Sequence, residues 1–418
     1  MESGSLISIV YALSVAATFY TAWTIGSNDV ANAMATSVGS KALTLRKAVV
    51  VAAIFEFSGA LLVGSKVTET IRSKIIDVSL FQGKEWHFVL GMLAALLATG
   101  IWIQIATMKG LPISTTHAIV GGIFGFGIIS VGISGIKWLV ILKIVLSWLI
   151  SPLAGFILAF FVFVFIRRII IDTKNPINQL KKWAPVFVFI CCFIILLSFI
   201  YKGLKNLHLD LPLHQALPLC FAVAGAFAVI YGYIIKSRYK SDHRKLTEQY
   251  SVMEKLFGYL QIMTACYMAF AHGANDVANA IGPFAGIISV LHNKTIPTQA
   301  DVPVYILLIG GIGIVIGLLT YGYKVIYTLG QKITELTPSR GFSAEFATAS
   351  IVLLFSKLSI PISTTHTIVG SVIGVGFARG IAALNMSIIK DIALSWLWTL
   401  PFTAVLSIIL YELLTLIF

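Results

Sequence analysis

Charged residues are scarce in this chain: they make up 11% of its 418 residues, and only 17 residues are acidic. Hydrophobic residues make up 58%, and the mean hydropathy is +0.94. This composition excludes a water-soluble globular domain and predicts a polytopic α-helical membrane protein. The net charge of +13 does not indicate a nucleic-acid partner, because the basic residues stand singly or in short groups between apolar runs.

Cysteines and clustered metal ligands are also few. The four cysteines lie in apolar stretches without CxxC spacing, which argues against a zinc site or a disulfide framework. No HExxH string occurs, so the rival class of membrane-embedded metal hydrolase has little support. We expect no enzyme activity and no cofactor. The first apolar run has no basic residue before it, so we expect it to be retained rather than cleaved as a signal peptide.

Apolar segments near the length of a bilayer-crossing helix follow one another along the whole chain. The fold class that they predict is an all-α polytopic membrane protein with about 12 transmembrane segments. The segments are 5–25, 47–65, 88–107, 117–136, 138–166, 185–201, 212–235, 257–272, 304–323, 342–358, 364–378 and 389–417.

Two polar strings occur twice at almost the same spacing. Gly26–Ala33 reads GSNDVANA, and Gly273–Ala280 reads GANDVANA. Leu111–Gly121 reads LPISTTHAIVG, and Ile360–Gly370 reads IPISTTHTIVG. A Ser-Trp-Leu string also recurs at a similar offset. These matches predict two homologous halves, 1–166 and 257–418, joined by residues 167–256, which hold two connecting helices and a basic linker.

The number of crossings determines how the two halves are oriented. Each half holds five apolar segments and two more lie between them, so the second half begins after an odd number of crossings and must be inverted. If the segments beside each PISTTH string form a re-entrant hairpin, each half has three crossings and the parity is unchanged. Placing the 236–256 linker in the cytoplasm puts most of the 30 basic residues inside. Both termini are then external.

The PISTTH strings have the chemistry of an anion-binding helix start. Proline suits the first helical turn, and serine or threonine caps it. A helix start inside the membrane offers free N–H groups and the positive end of the helix dipole, and the hydroxyls add neutral donors. Phosphate fits this set of donors. The predicted phosphate ligands are Ser114, Thr115, Thr116, Ser363, Thr364 and Thr365, with Gln104 from the preceding apolar segment.

The Asn-Asp strings have the chemistry of a cation site. Carboxylate and amide oxygens are hard ligands suited to Na⁺, and the broken helices of transporters add unwound carbonyls. The predicted cation-binding residues are Asn28, Asp29, Asn32, Asn275, Asp276 and Asn279, with Na⁺ at Asn28, Asp29, Asn275 and Asp276. Two alternatives stay open: aspartates that carry protons, and a buried polar pair that holds helices together.

Two carboxylates and a phosphate dianion cannot share a site of low dielectric unless cations or protons intervene. The sequence therefore predicts cation-coupled anion transport, with a passive anion channel as another alternative. His117 and His366 are expected to form hydrogen bonds near the ligand side chains without binding phosphate directly. Glu56 lacks a mate in the other half. Arg340 and Glu345 are expected to form a cytoplasmic gate or a helix-end ion pair.

The paired GxNDVANA and PISTTH strings resemble the inorganic phosphate transporter family, the sodium- or proton-coupled phosphate permeases. The string TPSRGFSAE at 337–345 resembles another of its patterns. The resemblance implies inorganic phosphate as substrate, inverted repeats with re-entrant hairpins and a cytoplasmic connecting loop, and it implies the site residues named above. The short central loop indicates a prokaryotic protein. We expect an inner-membrane symporter of Na⁺ and phosphate that works by alternating access, with H⁺ coupling as the alternative. The glycines of Gly310–Gly317 would suit a homodimer or packing within one chain.

Overall fold

Helix dominates the fold. The computed structural model describes residues 2–64, 75–200, 211–239, 245–293, 296, 302–357 and 362–418. Within these ranges no strand forms, apart from a single antiparallel bridge between Ile76 and Ile136. The predicted all-α class is confirmed.

The described ranges contain thirteen α-helices, with short 3₁₀ and π turns at some of their ends. They are α1 (Glu2–Gly39), α2 (Leu45–Val63), α3 (Glu85–Met108), α4 (Thr115–Val131), α5 (Trp138–Ile166), α6 (Pro176–Ser198), α7 (Leu213–Arg238), α8 (Leu246–Asn293), α9 (Val304–Tyr321), α10 (Tyr323–Tyr327), α11 (Pro338–Lys357), α12 (Thr364–Phe377) and α13 (Met386–Ile417).

Eight of these helices are long and apolar enough to cross a membrane, namely α1, α3, α5, α6, α7, α8, α9 and α13. The predicted number of twelve is not confirmed. Helices α4 and α12 are apolar but have only 17 and 14 residues, fewer than the ~20 that a crossing needs. Each directly follows a longer helix of its own half, α3 or α11, as in a helical hairpin.

Helices α1 and α8 run through the Asn-Asp strings without interruption, over 38 and 48 residues. The expectation of unwound backbone beside these strings is therefore wrong. The polar side chains instead project from continuous helices, whose backbone groups remain paired along the helix. Helix α8 begins at Leu246, so the second part of the predicted 236–256 linker is helical, while residues 240–244 lie outside the described residues.

The helices of one half pack mainly on helices of the other half. Helix α1 packs on α9 and α2 on α8, while α4 packs on α13 and α5 on α12. Equivalent glycines mark the crossings: a Cβ on Gly26 would clash with the Ile314 carbonyl, and one on Gly273 with the Glu56 carbonyl. Positions related by the sequence repeat thus make equivalent backbone contacts, which brings the starts of α4 and α12 beside the middle of α1 and α8.

The close crossing of α5 and α12 yields a stability prediction. In Gly370→Ala the new methyl group would clash with the Pro152 backbone, and such overpacking costs about 1–3 kcal/mol. We expect a lower Tm for the purified protein in detergent. Gly225→Ala on α7 is the matched control, because nothing lies within 4 Å of the added methyl. An equal or higher Tm for Gly370→Ala would contradict the close crossing.

Candidate functional site

Both PISTTH strings start a helix, as predicted. The Ser114 hydroxyl accepts a hydrogen bond from the His117 N–H at 3.3 Å, which caps α4. The Ser363 hydroxyl accepts one from the His366 N–H at 3.2 Å, which caps α12. The first N–H groups of each helix have no acceptor earlier in the same helix, so both starts offer donors to a ligand.

The Asp29 carboxylate on α1 connects the two helix starts. It is 1% exposed and accepts from the Thr115 hydroxyl at 2.7 Å and from the Thr365 hydroxyl at 3.4 Å. Asn32, one turn further along α1, donates to Thr365 at 2.9 Å and to the Asp29 carboxylate at 3.1 Å. One buried carboxylate therefore holds hydroxyls from both hairpin helices.

The second Asn-Asp string meets the same hydroxyls from α8. The Asn279 amide donates to the Thr115 and Thr116 hydroxyls, each at 3.2 Å, and to the Asp276 carboxylate at 3.4 Å. Asp276 is 6% exposed. The structure thus brings together a set of predicted residues from four helices and both halves. They are Asp29, Asn32, Thr115, Thr116, Thr365, Asp276 and Asn279.

Comparisons with known proteins identify the family of this chain. The phosphate transporter family matches the chain over residues 25–407. This chain belongs to the phosphate transporter family. Inorganic phosphate transporter 2-1 of Arabidopsis thaliana chloroplasts is 44% identical to it over 416 residues, covering 94% of this chain and 70% of that protein. A protein of Pyrococcus abyssi, named as a candidate phosphate permease, is 43% identical and covers 99% of this chain and 98% of its own length.

A solved structure described as the sodium-dependent phosphate transporter has a TM-score of 0.89 to this family member and is 41% identical. The match covers 98% of this chain and 100% of that one. The resemblance seen in the repeated strings is confirmed. The family consists of transporters, so this member is an integral membrane transporter and not an enzyme.

Asn28 contacts the turn between α3 and α4 in this phosphate transporter family member. Its amide nitrogen donates to the Thr107 hydroxyl at 2.9 Å and to the Leu111 carbonyl at 3.0 Å, and its oxygen accepts from the Ile113 N–H at 3.1 Å. Its equivalent, Asn275, donates at 2.8 Å to the Ala271 carbonyl of its own helix. The Asn28 side chain thus anchors the first hairpin to α1.

The other predicted ligands lie farther out or behind the cluster. The Gln104 oxygen accepts from the Tyr20 hydroxyl. Thr364 is half-buried at the start of α12. The rings of His117 and His366 meet edge to face, with centroids 4.9 Å apart, and are both buried, so they pack the two helix starts against each other.

Sequence reasoning missed His272, which lies between three buried carboxylates. Its Nε2 is 3.0 Å from an Asp276 oxygen and 3.4 Å from an Asp29 oxygen, and its Nδ1 is 3.3 Å from Glu56. The residue stands one position before the second GxNDVANA string, where the first copy has Ile25. A search for repeated residues passes over it, although a histidine at the end of an apolar run was a visible signal.

Glu345 is also placed differently from the sequence expectation. Arg340 forms the alternative that was expected, a helix-end ion pair, with Glu335 at 3.8 Å, while Glu345 takes no part in it. The cytoplasmic gate stays a prediction. Glu345 is fully buried on α11 and accepts from the Thr36 hydroxyl, from the Ser37 hydroxyl at 3.1 Å and from the Thr264 hydroxyl at 2.6 Å. A second oxygen-rich cluster therefore links α1, α8 and α11.

The anchoring of the first hairpin can be measured by hydrogen exchange. Asn28→Ala leaves the buried Ile113 N–H and Leu111 carbonyl without these partners, which costs about 1–3 kcal/mol per group. We expect exchange of the Ile113 amide to become about tenfold faster or more, since 1.4 kcal/mol corresponds to a factor of ten. Asn275→Ala is the control and should leave this amide unchanged. Unchanged protection in Asn28→Ala would contradict the anchoring role.

Proposed function

We propose that this chain is a secondary active symporter that imports inorganic phosphate together with Na⁺ by alternating access. The observation that carries the proposal is that both helix starts meet at the Asp29 carboxylate of the first Asn-Asp string, while Asn279 of the second string donates to Thr115 beside it. The 41% identity to a protein described as sodium-dependent supports the choice of cation.

Phosphate would lie between the starts of α4 and α12. The N–H groups of both first turns and the hydroxyls of Thr116 and Thr364 point to an anion with several acceptor oxygens. The Thr115 and Thr365 hydroxyls donate to Asp29 and line the same space. These donors carry no fixed charge. Neutral donors suit a carrier, since it must release phosphate after each crossing.

Sodium would lie between phosphate and the carboxylates. Asp29 and Asp276 are both buried, and a phosphate dianion beside them is repelled unless cations intervene. The Asn32 oxygen has no hydrogen-bond partner in the described part of the chain, and the Asp276 Oδ2 atom has the His272 imidazole 3.0 Å away, at ion-pair distance. Buried acceptors without partners are costly, so a hard cation that takes up their lone pairs fits this space.

The four residues predicted to hold Na⁺ are not equally available. The Asp29 and Asp276 oxygens face the shared space, whereas the Asn28 amide already bonds the first hairpin and Asn275 bonds its own helix. We therefore propose Asp29, Asp276 and Asn32 as the principal sodium ligands, with Asn28 and Asn275 one helical position away.

The Glu345 cluster offers a place for a further Na⁺. Three hydroxyls surround this fully buried carboxylate, and the hydrogen-bond partners recorded for it are all neutral. A buried carboxylate without a cationic partner carries a large desolvation cost. Sodium bound there would offset that cost and couple a second ion to transport.

The proposed transport cycle depends on the packing of helices of one half on helices of the other half. In inverted-repeat transporters, one set of elements moves against the other around a site near the membrane midplane. Here the hairpins α3–α4 and α11–α12 would move together with the Asn-Asp helices. In the orientation favoured by the basic residues, both termini are external and the 236–256 linker faces the cytoplasm of a prokaryotic inner membrane.

Phosphate uptake into proteoliposomes tests the coupling. An inward Na⁺ gradient should drive phosphate accumulation, and Asp29→Asn and Asp276→Asn should each abolish it, because the neutral amide no longer attracts the cation. Asp391→Asn, which changes an exposed carboxylate on α13, is the control and should transport normally.

Three outcomes would count against the proposal. Accumulation driven by a proton gradient but not by Na⁺ would identify the aspartates as proton carriers. Phosphate uptake that depends on neither the Na⁺ gradient nor the proton gradient would indicate a passive anion channel. Normal Na⁺-driven uptake in either aspartate variant would show that the carboxylates are not a shared site.

The Glu345 cluster makes a separate prediction about the number of ions. Glu345→Gln keeps the shape of the side chain but removes its charge. We expect the Na⁺ concentration for half-maximal uptake to rise and the Hill coefficient for Na⁺ to fall, while the half-saturating phosphate concentration at high Na⁺ changes little. An unchanged Na⁺ dependence would mean that this cluster binds no coupling ion.

A further inference from the structure

The His272 imidazole lies close enough to Asp29 and Asp276 to bind one metal ion together with them. Its Nε2 is 3.0 Å from Asp276 Oδ2 and 3.4 Å from Asp29 Oδ2, and the three ligand atoms all lie within 4.8 Å of one another. The His272 side chain is fully buried, and Asp29 and Asp276 are almost so. Three donor atoms from two helices thus surround one small volume.

The three contacts of the His272 ring are ion-pair distances whose angles depart from those of hydrogen bonds. Asp29 Oδ2 also accepts from the Thr115 hydroxyl, and Asp276 Oδ2 accepts no hydrogen bond of good geometry within the described ranges. Donor atoms that share a metal behave in this way, because their lone pairs point to a common centre instead of to each other. With metal–ligand bonds of about 2.1 Å at right angles, neighbouring donors lie about 3.0 Å apart, which is close to the two distances from His272 Nε2 to the aspartates.

The identity of the donors indicates the class of cation. Imidazole nitrogen is a ligand of first-row divalent metals, and two carboxylates beside it add the oxygen ligands that Mn²⁺ and related ions accept. Glu56 lies 3.3 Å from the other ring nitrogen, the place of the carboxylate that orients a metal-bound histidine. With three buried carboxylates in the cluster, a divalent ion also leaves less uncompensated charge than a single Na⁺.

We propose that Asp29, His272 and Asp276 form a binding site for a first-row divalent cation such as Mn²⁺, with Glu56 orienting the imidazole. Three protein ligands would leave coordination positions open on the ion. The site shares its aspartates with the proposed sodium site. The inference concerns metal binding to the isolated protein, so it stands or falls independently of sodium coupling.

The site exists once per chain. The position equivalent to His272 is Ile25, and the crossing of Gly26 with Ile314 matches the crossing of Gly273 with Glu56, so Ile314 takes the place of Glu56. The other half therefore offers neither the imidazole nor the orienting carboxylate. Binding should reach one ion per chain, because both repeated aspartates already belong to this single site.

Titration of metal-free protein with Mn²⁺, followed by electron paramagnetic resonance, tests the proposal in the absence of Na⁺ and phosphate. We expect one Mn²⁺ per chain, with ¹⁴N coupling in the pulsed spectrum from the His272 imidazole. His272→Gln should remove this coupling, and Glu56→Gln should weaken binding about 10- to 100-fold. His214→Gln, which removes an exposed histidine on α7, is the matched control and should change neither.

The wild-type spectrum alone can overturn the proposal, even if a variant fails to fold. Absence of stoichiometric Mn²⁺ binding, or bound Mn²⁺ without ¹⁴N coupling, would exclude an imidazole ligand. In folded variants, ¹⁴N coupling that persists in His272→Gln would place the metal at another histidine. Binding that is unchanged in Asp29→Asn would remove the carboxylate from the site.

Discussion

The site depends on one buried charge, the Asp29 carboxylate held by hydroxyls from two hairpin helices. A carboxylate with 1% exposure is costly to bury and stays in place only where donors and cations compensate it. Thr115 and Thr365 supply donors from opposite halves of the chain. The carboxylate thus ties the two helix starts together and places their free N–H groups around one space.

The same charge is the physical basis of the proposed link between phosphate transport and cation binding. The helix starts attract an anion, while Asp29 and Asp276 repel it. A cation between them turns this repulsion into attraction, so each ion favours the binding of the other. In this account no separate structural element couples cation binding to phosphate binding, because the coupling follows from the distances between a few side chains.

Repetition made much of the architecture and site predictable from the sequence. Ser114 and Ser363 could be predicted as helix caps from local chemistry, and Thr115, Asp29 and Asn279 could be predicted to meet because their strings occur in both halves. His272 could not be found in this way, since its equivalent is Ile25. For Glu345 the sequence predicts a cytoplasmic gate or a helix-end ion pair, but its partners Thr36 and Thr264 lie far away in sequence, and only tertiary packing brings them near.

The positions that break the repeat give the molecule two different sides. Glu345 has its hydroxyl partners Thr36 and Ser37 on α1, whereas the equivalent positions on α8 are Pro283 and Phe284. A pair of identical inverted halves would offer the same barrier to both faces of a membrane. The Glu345 cluster and the His272–Glu56 pair each lack an equivalent in the other half, so the two halves are not interchangeable.

The account's central claim is that cations between the two aspartates allow phosphate to bind. Calorimetric titration of the purified protein with phosphate tests it most directly, at several Na⁺ concentrations, with EDTA present and with choline replacing Na⁺ at constant ionic strength. We predict that phosphate affinity rises with Na⁺ and that no binding is measurable without it. Phosphate binding with the same Kd in the presence and absence of Na⁺ would contradict the account.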